Sequence, residues 1–139
     1  MPFRELEVEI AIDAQNNGLG IYATSDPANR TIFVGEMPDD IVEGILIVAS
    51  ASPPPHIYID TEYKVIDFWS RSPHTDRSKA LLRAVFELYH RRYHFTTDNW
   101  YVSFSEALGD IIDIDRDANS GKLFRLSVQF ISRNLNHIS

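Results

Sequence analysis

Asp113, Asp115, Asp117 and Asn119 place oxygen-bearing side chains at alternate positions, which is how the loop of a calcium-binding hand begins. In that register the loop requires glycine at its sixth position and a bidentate glutamate at its twelfth, where this chain has Ala118 and Phe124. A solvated acidic strand end leading into a hairpin is therefore the expectation, and no metal. His90 and His94 share a helical spacing, but Arg91 and Arg92 stand where a zinc protease would carry its glutamate, so helix termination or partner contact is expected of them. His74 beside Asp76 has the types of a base and its orienting acid, yet no serine sits in a nucleophile elbow, and Ser72-Pro73 is explained as a helix start. Gly18-Leu19-Gly20 is too short to cradle a phosphate. The absence of cysteine excludes disulfides, thiolate catalysis and cysteine-ligated zinc. No catalytic residue and no cofactor is expected.

What remains is charge. The net charge is −7 and unevenly spread: residues 1–70 carry three Lys or Arg against twelve Asp or Glu, and residues 71–139 carry ten against eight. A general nucleic-acid binder exchanges positive surface for counterions, so this composition argues against one. An acidic wall would suit a channel through which DNA slides without sticking. In the second half Arg71, Arg77, Lys79, Arg83, Arg91 and Arg92 cluster around one segment. Their plainest role is a solvated helix face with partners such as Asp76 and Glu87. Their functional version is contact with an acidic neighbouring subunit, anchored by Tyr93, Trp69 or Trp100.

The element that positions these cations is a helix over Ser72–His94. Ala80, Leu81, Ala84, Val85, Leu88 and Tyr89 form its apolar stripe, with Ser72 as cap, Pro73 at the first helical position and His90, Arg91, Arg92 and His94 at the cationic end. Such a helix needs a sheet. Candidate strands are Thr31–Val34, Ile45–Val48, His56–Ser70 with a bulge near Asp60–Glu62, Trp100–Phe104, Asp110–Arg116 and Lys122–Ile131. In the last, Phe124, Leu126, Val128 and Phe130 form the core face; in Trp100–Phe104, Tyr101, Ser103 and Ser105 share the other parity from Trp100, Val102 and Phe104. Residues 3–17 fit an alternating strand and a helical stripe alike, propensity favouring helix and Gly18 a stop. The tail Asn134–Ser139 has few anchors and is expected to be mobile unless a partner orders it. The fold class is thus α/β (α+β): one small domain over 1–139, a mostly antiparallel or mixed sheet of about four to five strands against an N-terminal helix and a long central helix. No signal peptide or membrane span is evident, and assembly in the cytoplasm is the plain expectation.

The segments Ile32–Asp40 (IFVGEMPDD) and Ile45–Ser50 (ILIVAS), a strand ending in Ser70-Arg71, and the following helix resemble the minor capsid or tail terminator proteins of long non-contractile-tailed bacteriophages. The matching positions are Leu19-Gly20, then Phe33, Gly35, Met37 and Pro38, then Ile66–Arg71 and Ala80–Tyr89, so the likeness covers roughly Leu6–Ile131. It departs from the commoner pattern at Ser52–Pro55 and in the acidic hairpin Asp115–Lys122. The resemblance implies a helical residues 3–17 and a virion protein, assembled in the host cytoplasm, whose copies form a homo-oligomeric ring, a hexamer. That ring stops tail-tube growth, contacts the tail tube protein and the head completion or stopper protein, and continues the channel through which genomic DNA passes without sequence-specific binding. The expected subunit or tail-protein contacts are Arg77, Arg83, Arg91, Arg92 and Tyr93; the expected lumen- or tube-facing residues are Asp110, Asp113, Asp115 and Asp117. Competing expectations are an adaptor at another ring position of the neck, a small ligand-binding domain, or an enzyme with a polar pocket around His74, His90 and His94.

Overall fold

The computed structural model describes residues 5–22, 29–50, 61–116 and 121–135. The first of these segments resolves the sequence ambiguity in favour of a helix, α1 (Leu6–Asn16), which buries Leu6, Glu9, Ile10, Ala11 and Ala14. Its end is a Schellman turn: Gly18, at φ +84°, donates to the Gln15 carbonyl and Leu19 reaches back to that of Ala14.

Next come β1 (Ile32–Val34), β2 (Gly44–Ala49) and β3 (Thr61–Ser72), then α2 (Thr75–Tyr89), then β4 (Arg92–Thr96), β5 (Trp100–Ala107), β6 (Ile112–Arg116) and β7 (Lys122–Asn134). The fold class is the expected α+β arrangement of two helices on a mixed sheet, here with seven strands in the order β1-β2-β3-β7-β5-β4 and β6 beside β7. β1 and β2 are parallel and every other pair is antiparallel. The long β7 pairs along its whole edge with β3, while its other edge is shared end to end by β5 and β6.

Both helices lie on one face of this sheet. Ile45, Ile47, Ile66, Phe68, Phe124, Leu126, Val128 and Phe130 point at them and join Leu6, Ile10, Leu82, Val85 and Tyr89 in one core cluster. Alternation along β7 and along β3 from Ile66 to Ser72 makes this face continuous, as the two-residue period requires.

Several expectations are corrected. The helix expected over Ser72–His94 is shorter: its N-cap is His74, Ser72 ends β3, and the cations thought to sit at its C-terminus are outside it. His90 is extended, Arg91 takes φ +60°, and the β-favouring run Arg-Tyr-His-Phe-Thr pairs with β5 as a strand. The buried stripe runs through Ser78, Leu82, Val85 and Tyr89, leaving Ala80 exposed. In β5 a bulge between Val102 and Phe104 switches the parity, so Ser105 joins Val102 on the core face and Phe104 leaves it. Asn134 and Leu135, expected to be loose, are held by pairing with Trp100 and by a 2.7 Å bond from the Leu135 amide to the Asn99 carbonyl. The expected bulge near Asp60 and residues 117–120 and 136–139 fall wholly or partly outside the described residues.

Candidate functional site

The polar side chains fall into separate clusters, each tied to a different pair of elements. Arg71 sits at the end of β3 on the face away from the helices, and its Nη1 donates to the carbonyls of Pro38 and Ile41 at 3.0 and 3.2 Å. The loop between β1 and β2 is thereby tied to the β3–α2 turn. Glu43 fastens it a second time, accepting from Ser72 Oγ and from Arg77 Nη2, each at 2.8 Å. Met37 and Phe33 are buried against Gly44, where an added Cβ would meet the Thr31 carbonyl at 3.0 Å and Met37 Sδ at 3.3 Å. Gly35, at φ +81°, makes the turn after β1. Phe33, Gly35, Met37, Pro38 and Arg71, part of the set on which the bacteriophage resemblance rests, all lie at this corner.

A second cluster joins α1 to the far side of the sheet. Glu9, only 2 % exposed, accepts hydrogen bonds from the Thr97 hydroxyl, the Asn99 side-chain amide and, at 2.8 Å, the Asn99 backbone amide. Asp13 accepts from Tyr89 Oη at 2.8 Å and Arg92 Nη1 at 2.7 Å, and the Arg92 guanidinium lies 3.9 Å from the Phe95 ring centre. Burial first, and then the Asp13 carboxylate, pushes the Tyr89 phenol well above its usual range, with Arg92 opposing. Beside this cluster lies a cleft of about 220 Å³ lined by Glu9, Ile12, Asp13, Asn16, Thr96, Thr97 and Asp98. Its carboxylates at Glu9 and Asp13 are already occupied by donors from the same chain.

The expected interface cations therefore divide. Arg77 and Arg92 are engaged within the subunit, by Glu43 and Asp13. Arg83 and Arg91 are exposed and form no ion pair among the described residues. Tyr93 is on β4, not on the helix, 61 % exposed on the sheet face opposite α2, with its ring 4.7 Å from that of Phe104.

The acids of the hairpin divide as well. Asp113 is bound by the Lys122 ammonium, and that hydrogen bond, aided by the Asp115 amide, holds its carboxyl below the ordinary range. Asp115, at φ +92°, sits on a bulge of β6 and accepts from the Arg116 amide; Asp110 is exposed and accepts from Ile111. Asp117 lies outside the described residues.

The histidines do not share a helical face. His90 accepts from the Ala107 amide and stacks on Phe86, while His94, at φ +49° in β4, is bonded to Tyr101 Oη. Among the described residues no three His, Asp or Glu side chains are grouped to hold a metal ion.

Sequence reasoning missed the Glu9 cluster and the exposed sheet face. For Glu9 the only local signal was a carboxylate on the Leu6–Ile10 side of the α1 stripe. The sequence matches no protein-family model and no curated protein sequence.

Proposed function

We propose that this chain is a structural virion subunit that closes into a ring at the head-proximal end of a bacteriophage tail tube. There it ends tube polymerisation and joins the tail to the head completion or stopper protein. One observation carries the reading. Phe33, Met37, Pro38 and Arg71, part of the set on which the resemblance rests, lie up to 38 positions apart and meet at one corner through the Arg71 hydrogen bonds and the packing on Gly44. A shared pattern whose members touch one another has a structural reason to exist, and here that reason is to fix the exposed loop after β1.

The electrostatics support the same reading. Glu36, Asp39 and Asp40 are exposed on that loop, while Arg83 and Arg91 are exposed elsewhere, so one subunit offers distinct surfaces of opposite sign. Ring closure needs such heterologous contacts. The hairpin supplies the acids for the lumen in this proposal, with Asp110 and Asp115 carrying more of the field than Asp113, which Lys122 neutralises. Passing DNA would be repelled by these carboxylates and would slide.

The test is incubation of the full chain with purified tail tubes, followed by electron microscopy of the tube ends and native mass measurement. A closed ring on one end of each tube and arrested tube growth are expected. Reversing Arg83 and Arg91 to glutamate is expected to weaken the rings, and unchanged capping by that variant would remove those two residues from the interface. A ring found at another level of the neck would make the chain an adaptor instead.

A further inference from the structure

At the end of the sheet where β3 begins, the face away from the helices carries a transverse row of polar side chains. The register sets Thr61 of β3 opposite Arg133 of β7, and Arg133 opposite Tyr101 of β5. Neighbouring strands lie about 4.8 Å apart, so one guanidinium stands between two hydroxyl-bearing residues. Together with Ser103 these three residues line a cleft of about 280 Å³.

Two backbone irregularities shape its wall. β5 bulges between Val102 and Phe104, and across from that bulge, between the pairs Tyr93–Phe104 and Phe95–Val102, His94 takes φ +49°. Such departures re-aim side chains, and here His94 Nδ1 comes to 2.5 Å from Tyr101 Oη. The Ser103 hydroxyl is spent on the Ile131 carbonyl. With the imidazole proton on Nδ1, His94 donates to the phenol oxygen and leaves the phenol proton free to donate into the cleft.

The cleft gathers donors and is lined by no carboxylate. Arg133 is exposed, lies 5.6 Å from the Tyr101 ring centre and forms no ion pair among the described residues. The acids closest in sequence face elsewhere: Glu62 is on the helix side beside Lys64, and Asp98 lines the cleft next to Glu9. On the same face, Glu106 and Asp67 stand opposite Gln129 and Ser127, about 13 and 20 Å along β7 from Arg133, and Asp67 already accepts from Ser127.

We propose that this cleft binds the phosphate group of a small molecule. One guanidinium fork takes both oxygens of a carboxylate, whereas a phosphate keeps oxygens for Thr61 and Tyr101 on either side of Arg133. The same group recurs along a nucleic-acid backbone, but a chain of net charge −7 repels a polyanion. The site does not depend on the ring-forming reading.

The test is titration of the full chain with inorganic phosphate at constant ionic strength, followed through the backbone amides by NMR. Saturable shifts are expected at Thr61, Tyr101 and Arg133. Arg133→Met should weaken binding about tenfold or more, Tyr101→Phe by a smaller factor, and Arg83→Met not at all. Shifts that never saturate, or that persist unweakened in an Arg133→Met chain with the circular dichroism of the parent, would overturn the site. Should Arg133→Met lose that spectrum, Tyr101→Phe decides, and unchanged binding by it overturns the proposal. Acetate that saturates the same amides as tightly would overturn the assignment to phosphate. A short single-stranded oligonucleotide that displaces phosphate at lower concentration would overturn the small-molecule source.

Discussion

The two faces of the sheet use polar groups in opposite ways. Under the helices each buried side chain that carries charge or a hydroxyl has been given a partner. Ser78 donates to the Lys122 carbonyl and so accepts from Ser70, Ser105 donates to the Tyr89 carbonyl, and Glu9 gathers three donors. On the other face Arg125 and Arg133 lie over rings without a carboxylate partner among the described residues, and Tyr63 and Tyr93 stand out from the surface. A buried polar group without a partner costs stability, so the first face is finished within one chain.

Disturbing the finished face should therefore unfold the protein, and the largest effect is expected at Glu9. Glu9→Ala strands the Thr97 hydroxyl and both Asn99 donors, and urea unfolding should show a loss of about 3 kcal/mol or more. Tyr89→Phe comes next, with about 1–2 kcal/mol lost at neutral pH as Asp13 gives up its phenol donor. The same variant sharpens the comparison through pH. Because the folded phenol titrates above its unfolded value near 10, its contribution is complete below about pH 10 and disappears as the pH rises through the folded value. Denaturation of the parent followed from pH 8 to 12 should steepen above about pH 10, and Tyr89→Phe should flatten that slope.

A smaller effect is expected at Ser78. Ser78→Ala removes the donor to the Lys122 carbonyl and the acceptor of Ser70, for about 1 kcal/mol measured by thermal unfolding. The smallest is at Asp113, which is solvent-exposed. Its carbon-detected NMR titration should have a midpoint below the ordinary carboxylate range, and Lys122→Met should raise it. Since its folded value is depressed, whatever the Lys122 bond contributes is present above the ordinary carboxylate pKa and lost as pH falls through the folded one.

How far the sequence carried is visible in particular elements. β7 and the second half of β3 were legible because alternation survives along them, and α1 ended where Gly18 required it. α2 was legible in type but overextended, because nothing local separates helical Arg91 from Arg91 at φ +60°, and the pairing that makes β4 lies across the sheet. The bulge at Ser103 inverted the expected side of Ser105 for the same reason: a two-residue period cannot register one extra residue. The site was less legible than the fold. Glu9 finds its donors about ninety positions away, and Arg77 and Arg92, which look free in the sequence, are claimed by Glu43 and Asp13 only once the chain has folded.

On the function proposed above, this subunit assembles into a ring that caps a tail tube. The most direct measurement of this is the imaging of purified tail tubes grown in the presence and absence of the full chain. The expected result is tubes of limited length, each with one terminal ring whose mass is a whole multiple of the 15.9 kDa chain. Tubes that keep growing with bare ends, while the chain stays monomeric in the supernatant, would contradict it.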